Sequence, residues 1–253
     1  MFKSIVKIMA ATTLFAGIHS LLASRAAKRV ATEVLSERLR NAFYRPFYNA
    51  QAVITFGALV LYGSKLPDRE LYRASEPLAG LMRFGQAISL LYLIYGARQI
   101  GFLRFAGAPN LLAFLRGQTS VPREPEGQGP IIDVNGEMKA TGPFRASRHP
   151  LNFAMIPALW LMPRMTVNLA TFNFVVTVYL IVGSVHEEER LRATYGQAYI
   201  DYQRSGINFF VPSASHLVMP KSNNSFNRGS LAVKVEHCSR VNSGVGSLRS
   251  SPG

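Results

Sequence analysis

Apolar residues in this chain come in long blocks divided by short polar stretches, with little of the three-and-four spacing of a half-buried helix. The blocks are residues 5–23, 47–66, 78–105, 151–162 and 169–185. A helix needs about 20 apolar residues to cross a hydrocarbon core about 30 Å thick, and all but the fourth block approach that length. The fourth reads as a tilted helix or as one arm of a helical hairpin with the fifth, residues 163–168 making the turn. Lys3 and Lys7 give the first block the look of a cleaved signal peptide, but its length and the spans that follow fit an anchor better. Pro46 stands where a helix start would place it, just before the second block. Arg83, Gln86, Arg98 and Gln99 interrupt the third. The two arginines are close enough to its ends to snorkel, whereas a glutamine inside a span faces a bundle interior or a cavity. The pattern predicts an all-α fold, a polytopic membrane helical bundle of about five transmembrane helices.

The connecting segments set the orientation. Residues 25–45 form a basic, amphipathic segment with six Lys/Arg against Glu33 and Glu37. Residues 65–77 are balanced, three basic against three acidic, and residues 98–148 are basic again. Lys and Arg gather in cytoplasmic loops. Five crossings then put the N-terminus outside and everything after Val185 in the cytoplasm, with a bacterial inner membrane as the expected location. Residues 117–142 read as a loop rich in Gly, Pro and charge, holding a small hairpin at 131–138 around Asn135-Gly136. Past residue 212 the apolar blocks stop and Ser, Asn and Gly dominate. Residues 213–253 are therefore expected to be a disordered tail behind a membrane domain of residues 1–212.

Composition sharpens this picture. Only 17% of the 253 residues are charged, against 48% hydrophobic, which leaves too little charge for a water-exposed surface of ordinary kind. The net charge of +14 would otherwise point to nucleic acid. Here the basic residues sit between apolar blocks rather than along a groove with stacking aromatics, so the expected partner is the lipid bilayer and not nucleic acid. Cys238, the single cysteine, excludes a disulfide framework or a cysteine metal site, and no metal is expected. A transporter is disfavoured because neither paired intramembrane charges nor an inverted repeat is present. Oligomeric state has no signal in the sequence.

Two polar stretches carry chemistry. Thr141-Gly-Pro-Phe-Arg-Ala-Ser-Arg-His-Pro150 leads into the fourth block. Arg148 and His149 set two cationic or hydrogen-bonding groups at a membrane boundary, and Pro150 starts a helix whose first N–H groups are free to meet an anion. A positive-inside anchor with a helix-starting proline accounts for the same residues. The second stretch, His186-Glu-Glu-Glu-Arg-Leu-Arg-Ala-Thr-Tyr-Gly-Gln-Ala-Tyr-Ile-Asp-Tyr202, sets Glu187, Glu188 and Glu189 where basic residues are the rule. They form either a solvated face, with Glu189 pairing to Arg192, or carboxylates turned inward toward a cationic ligand such as a sulfonium. Tyr195, Tyr199 and Tyr202 fall four and three apart, one face of a cytoplasmic C-terminal amphipathic helix, a spacing commoner in cores than in ligand sites. His19 lies inside the first span, where an ionisable residue is either functional or a hydrogen-bonded structural histidine.

Together the two stretches resemble the C-terminal half of the isoprenylcysteine carboxyl methyltransferase and phospholipid methyltransferase superfamily. The matching residues are Gly142, Phe144, Arg145, Arg148, His149 and Pro150, then Glu187, Glu188, Leu191, Tyr195, Gly196, Tyr199 and Tyr202. Asn152 departs from the pattern, which usually has Tyr two residues after the proline, and so bears on the shape or polarity of the pocket. In the N-terminal half, His19-Ser-Leu-Leu-Ala-Ser24, Lys28 and Tyr44-Arg-Pro-Phe-Tyr-Asn49 are similar to the NnrU-like and methanethiol S-methyltransferase-like branch. The resemblance covers roughly residues 17–212 and implies a membrane methyltransferase domain over 1–212, its motif-bearing half at 130–212.

The resemblance further implies S-adenosylmethionine as cofactor, with Arg148, His149, Pro150, Asn152, Glu187 and Glu188 around it. Arg148 and His149 would hold its anionic or polar parts, and Glu187 or Glu188 its amino group or ribose. The acceptor, a small thiol or another lipophilic molecule, is expected among the first three spans, with His19 and Gln86 as polar groups. His19 and His149 are the catalytic candidates. A thiol reacts as thiolate, which either His19 or Arg148 would favour. The other function the resemblance allows is a non-catalytic NnrU-like membrane protein assisting respiratory or nitrogen-oxide metabolism.

Overall fold

The computed structural model describes residues 1–213 apart from 124–126, 128, 131, 133–135 and 139. Its first apolar block forms α1 (Phe2–Ala23), which stops at Ser24. The Ser24 hydroxyl accepts the Ala27 N–H at 3.1 Å, capping α2 (Arg25–Leu35) and turning the chain. Ser36, at a φ of 70°, breaks the chain again before α3 (Glu37–Ser64). The basic segment is thus two helices rather than one, and Pro46 lies inside α3 instead of at its start. The apolar stretch after Pro46 carries the helix on, so the ring interrupts one hydrogen bond without ending it.

The third block is α4 (Leu78–Ile100), ended by Gly101 at a φ of 90°. Two short helices follow, α5 (Phe102–Ala106) and α6 (Ala108–Leu115), in what the charge pattern marks as loop. The expected helical hairpin is present: α7 (Pro150–Trp160) turns into α8 (Val167–Tyr195). Gly196 then separates α8 from α9 (Gln197–Arg204), so Tyr195 does not share a helix with Tyr199 and Tyr202. The expected hairpin at 131–138 lies partly outside the described residues; Ile132 and Met138 form an antiparallel bridge. The tail from residue 214 onward lies outside them altogether.

One departure from an all-α fold is a two-stranded antiparallel ribbon, β1 (Glu70–Arg73) with β2 (Arg164–Thr166). Glu70 accepts hydrogen bonds from Arg73 at 2.9 Å and Arg164 at 2.6 Å. Strands of only four and three residues leave no sequence signal, and the partner strand is 94 residues away. The ribbon gathers the α3–α4 and α7–α8 turns at one end of the bundle. Hence α3 and α7 run toward it while α4 and α8 run away, and α1 packs on α3 and α8.

The bundle is packed inside out for water. Buried positions of α1 are Ser4, Ile8, Thr12 and Ala16, a stripe of mostly small residues four apart, and α8 buries Asn173 and Ser184. Leu14 is 65% exposed, Val53 72% and Phe174 59%. Such a surface is unfavourable in water but correct in hydrocarbon, where close approach of small residues and interhelical hydrogen bonds hold helices together. Among the described residues three helices, α1, α4 and α8, are long and apolar enough to cross a membrane. At 11 residues, α7 extends only about 16 Å, half of a bilayer core. Two carbonyls of its last turn, which have no partner within the helix, are satisfied from neighbours. Gln86 Nε2 donates to Ala158 O at 2.9 Å from α4, and Asn173 Nδ2 to Leu159 O at 2.7 Å from α8. Each such bond between membrane helices contributes on the order of 1 kcal/mol.

Candidate active site

The Arg-His-Pro stretch is clamped at the end of the bundle opposite the ribbon. A 3-10 turn over Gly142–Arg145 buries Phe144, and the Tyr202 hydroxyl donates to its carbonyl at 2.9 Å. The Ser147 hydroxyl donates to Phe210 O at 2.7 Å and accepts the His149 N–H at 3.1 Å. Arg148 is used twice, its Nε donating to Glu188 Oε1 and its Nη1 to Ile207 O, both at 2.6 Å. Glu188 also accepts from Gln203 at 2.8 Å and from Arg192 and Tyr199 at 3.4 Å. Arg192 therefore pairs with Glu188, not with Glu189. Burial pushes the Tyr199 and Tyr202 hydroxyls above the ordinary phenol range, so both act as donors here. With all its lone pairs engaged, Glu188 works as the centre of a lock between α7, α8 and α9.

His149 caps α7 from inside this lock, with Pro150 as the first helical residue. Its Nδ1 is 3.5 Å from Glu187 and its Nε2 3.6 Å from Glu188, while the Phe209 ring meets it edge-on at 5.1 Å. Burial alone lowers an imidazole pKa, but the two carboxylates of Glu187 and Glu188 beside the ring outweigh it and raise the His149 value. Nε2 remains buried without a hydrogen-bond partner.

Beside the lock is a cavity of about 810 Å³ walled by α1, α2, α3 and α8. That volume lies in the range of ligand pockets. From α1 comes His19, whose Nε2 is 2.6 Å from the Tyr48 hydroxyl of α3, with Phe15 stacked on one side and Tyr179 edge-on at 6.3 Å. From α7 comes Asn152, whose amide donates to Ser184 at 2.8 Å. From α8 come Tyr179, Gly183, Glu187 and Arg190, at intervals of four, four and three and so on one face, flanked by Leu180, His186 and Glu189. Glu188 and Leu191 lie on the opposite side of the same turns, which is why one carboxylate lines the cavity and its neighbour closes the lock.

The structure thus brings His19, Asn152 and Glu187 together at one cavity and Arg148, His149, Pro150 and Glu188 together beside it. Gln86 belongs to neither group; it is occupied in ending α7. Arg45 and Tyr48, from the stretch that carries the N-terminal resemblance, line the cavity, as do Tyr179 and Arg190, which the sequence did not single out. Their signal is helical phase, which becomes readable only once α8 is known to continue past Val185.

No family model matches the chain, and no solved structure matches it. Characterised relatives do. A methanethiol S-methyltransferase of Pseudomonas deceptionensis is 25% identical over 79% of this chain and 70% of its own length. Methanethiol S-methyltransferase 1 of Bradyrhizobium diazoefficiens is 22% identical over 79% of this chain and 64% of its own length. Another, from Mycobacterium tuberculosis, is 36% identical, but over only 27% of this chain, so the longer matches carry the relationship. Over 79% of its length the chain is thus similar to methanethiol S-methyltransferases, the branch that its motifs resemble.

Proposed function

We propose that the chain is an integral membrane methyltransferase that uses S-adenosylmethionine to methylate a small thiol within the cavity between α1, α3 and α8. The observation that carries this reading is the meeting, on one space of about 810 Å³, of His19 from the N-terminal half with Asn152 and Glu187 from the two motif-bearing stretches. Motifs more than 130 residues apart converge there, as a two-substrate reaction requires.

The residues present fit the cofactor. Glu187 offers a buried carboxylate for an ammonium or a ribose hydroxyl, Asn152 an amide, and Arg190 a guanidinium for a carboxylate. When bound, the cofactor supplies a methyl group already activated on a sulfonium, which an acceptor displaces in line. The chain's own work is alignment and exclusion of water. Aromatic walls from Tyr48, Phe105 and Tyr179 suit a small apolar acceptor, and the Arg148–Glu188 lock holds α7 and α8 at fixed separation. The curated relatives are enzymes by name, which favours this reading over a non-catalytic one. For the membrane arrangement, we propose five passes, with α3 and the α7 half-span joining α1, α4 and α8, the N-terminus outside, the motif end in the cytoplasm, and a bacterial inner membrane as the site.

The test is S-adenosylmethionine binding by the detergent-purified full chain, wild type beside Glu187→Gln. Wild type is expected to bind and Glu187→Gln to bind about tenfold or more weakly, as follows when one partner of a buried polar contact is lost. Absence of binding by folded wild type would overturn the reading.

A further inference from the structure

At the cavity, Arg25, Lys28, Arg45 and Arg190 outnumber the carboxylates Glu187 and Glu189, with His186 beside them, and among these Arg190 stands out. It lies at the cavity wall one turn beyond Glu187, and its Nε is buried with no hydrogen-bond partner. Among the described residues no carboxylate forms an ion pair with it. Its neighbours in sequence are committed elsewhere: Glu188 to Arg148, and Arg192 to Glu188 and Gln203. A half-buried guanidinium with an unsatisfied N–H is costly unless something anionic meets it, and its planar fork is shaped for that.

A second donor faces the same space. His19 Nδ1 is buried and unpartnered, while Nε2 is 2.6 Å from the Tyr48 hydroxyl. An orphaned lone pair costs less than an orphaned N–H. The favoured tautomer therefore leaves Nδ1 bare and has Nε2–H donate to the Tyr48 oxygen, which frees the Tyr48 O–H to donate into the cavity. Arg45 reinforces the positive character there, its guanidinium 5.7 Å from the centre of the Tyr48 ring and anchored by Nε to Phe105 O at 2.9 Å.

We propose that Arg190 and the His19-held hydroxyl of Tyr48 form an anion seat in the cavity, which grips the negatively charged group of a reactant. This rests on the methyltransferase reading above. Two sources supply such a group: the carboxylate of S-adenosylmethionine, or the sulfur of a thiol acceptor once its proton has left to solvent. In the second case the sulfur lone pair forms the new carbon–sulfur bond as the methyl–sulfonium bond breaks, and the seat holds the charge until it is consumed.

The experiment measures S-adenosylmethionine affinity, and the pH dependence of kcat with methanethiol, for the full chain and for Arg190→Gln, Arg190→Lys and Tyr48→Phe. If the seat holds the carboxylate, Arg190→Gln weakens S-adenosylmethionine binding about tenfold or more and leaves the acid limb of kcat in place. If it holds the ionised sulfur, affinity stays and the acid limb moves up by about one pH unit or more. In either case Tyr48→Phe shifts the same quantity in the same direction, and Arg190→Lys restores part of it. An Arg190→Gln protein with wild-type affinity and a wild-type acid limb overturns the seat while leaving the methyltransferase reading intact. A wild type that binds no S-adenosylmethionine overturns both.

Discussion

Neighbouring residues on α8 have opposite duties. Glu188 is saturated by Arg148, Gln203, Arg192 and Tyr199, whereas Glu187 lines the cavity and supports His149. One step along a helix rotates a side chain by about 100°, enough to send adjacent carboxylates to different compartments. The pair also sets the charge of His149, and this gives a pH dependence with a definite sign. A raised folded-state value means that the folded chain holds the proton more tightly than the unfolded chain does. The stabilisation is fully present below the ordinary imidazole value of about 6.5 and is lost as pH climbs through the higher folded-state value. Thermal unfolding in detergent from about pH 5.5 to about pH 9 should therefore show the advantage of wild type over His149→Gln shrinking as pH rises. An advantage that holds constant or grows with pH is incompatible with the carboxylate cradle.

Among the elements, the short connectors position the cavity more than the long helices do. Gly107 ends α5 at a φ of 80° and begins α6. A Cβ added there would stand 2.8 Å from Pro46 Cδ and 3.0 Å from Arg45 Cβ, so α3 sits directly on this glycine. Arg45 and Asn49 both donate to Phe105 O nearby, at 2.9 and 3.1 Å. The α5–α6 corner is thus what holds the cavity-lining part of α3 in place. Gly107→Ala is expected to cost about 2 kcal/mol or more, from left-handed backbone strain and from crowding against a stiff proline. Gly57→Ala, where an added Cβ meets nothing within 4 Å, should be neutral or slightly stabilising. Denaturation midpoints of the two variants in the same detergent test the contrast. Equal behaviour would mean that the corner is not a packing point.

At the scale of the whole molecule, the outward Leu, Val and Phe against inward Ser, Thr and Asn define a bundle that belongs in lipid. In the proposed five-pass arrangement, the ribbon and the lock, which lie at opposite ends of the bundle, fall at opposite faces of the membrane, with the cytoplasm on the lock side. The single cysteine allows a direct test. In sealed membrane vesicles a membrane-impermeant maleimide should label Cys238 only when the cytoplasmic face is outward. Labelling from the opposite face would invert the topology and separate the cavity mouth from a cytoplasmic cofactor.

Helix-forming blocks, the membrane environment and the two motif stretches were legible in the residues alone, because hydrophobic blocks of bilayer length and like-signed loops are local properties of a chain. The helical hairpin after Pro150 was legible for the same reason. The β1–β2 ribbon was not, since its stability depends on a charged partner strand far away in sequence. Nor was the break at Gly196, which moves Tyr195 off the face of Tyr199 and Tyr202. Most of all, the division of labour between Glu187 and Glu188, and the exposure of Arg190 to the cavity, depend on how far α8 extends and on how it is rotated against α1, α7 and α9. A run of three carboxylates carries no phase of its own; packing of the helix around it supplies one.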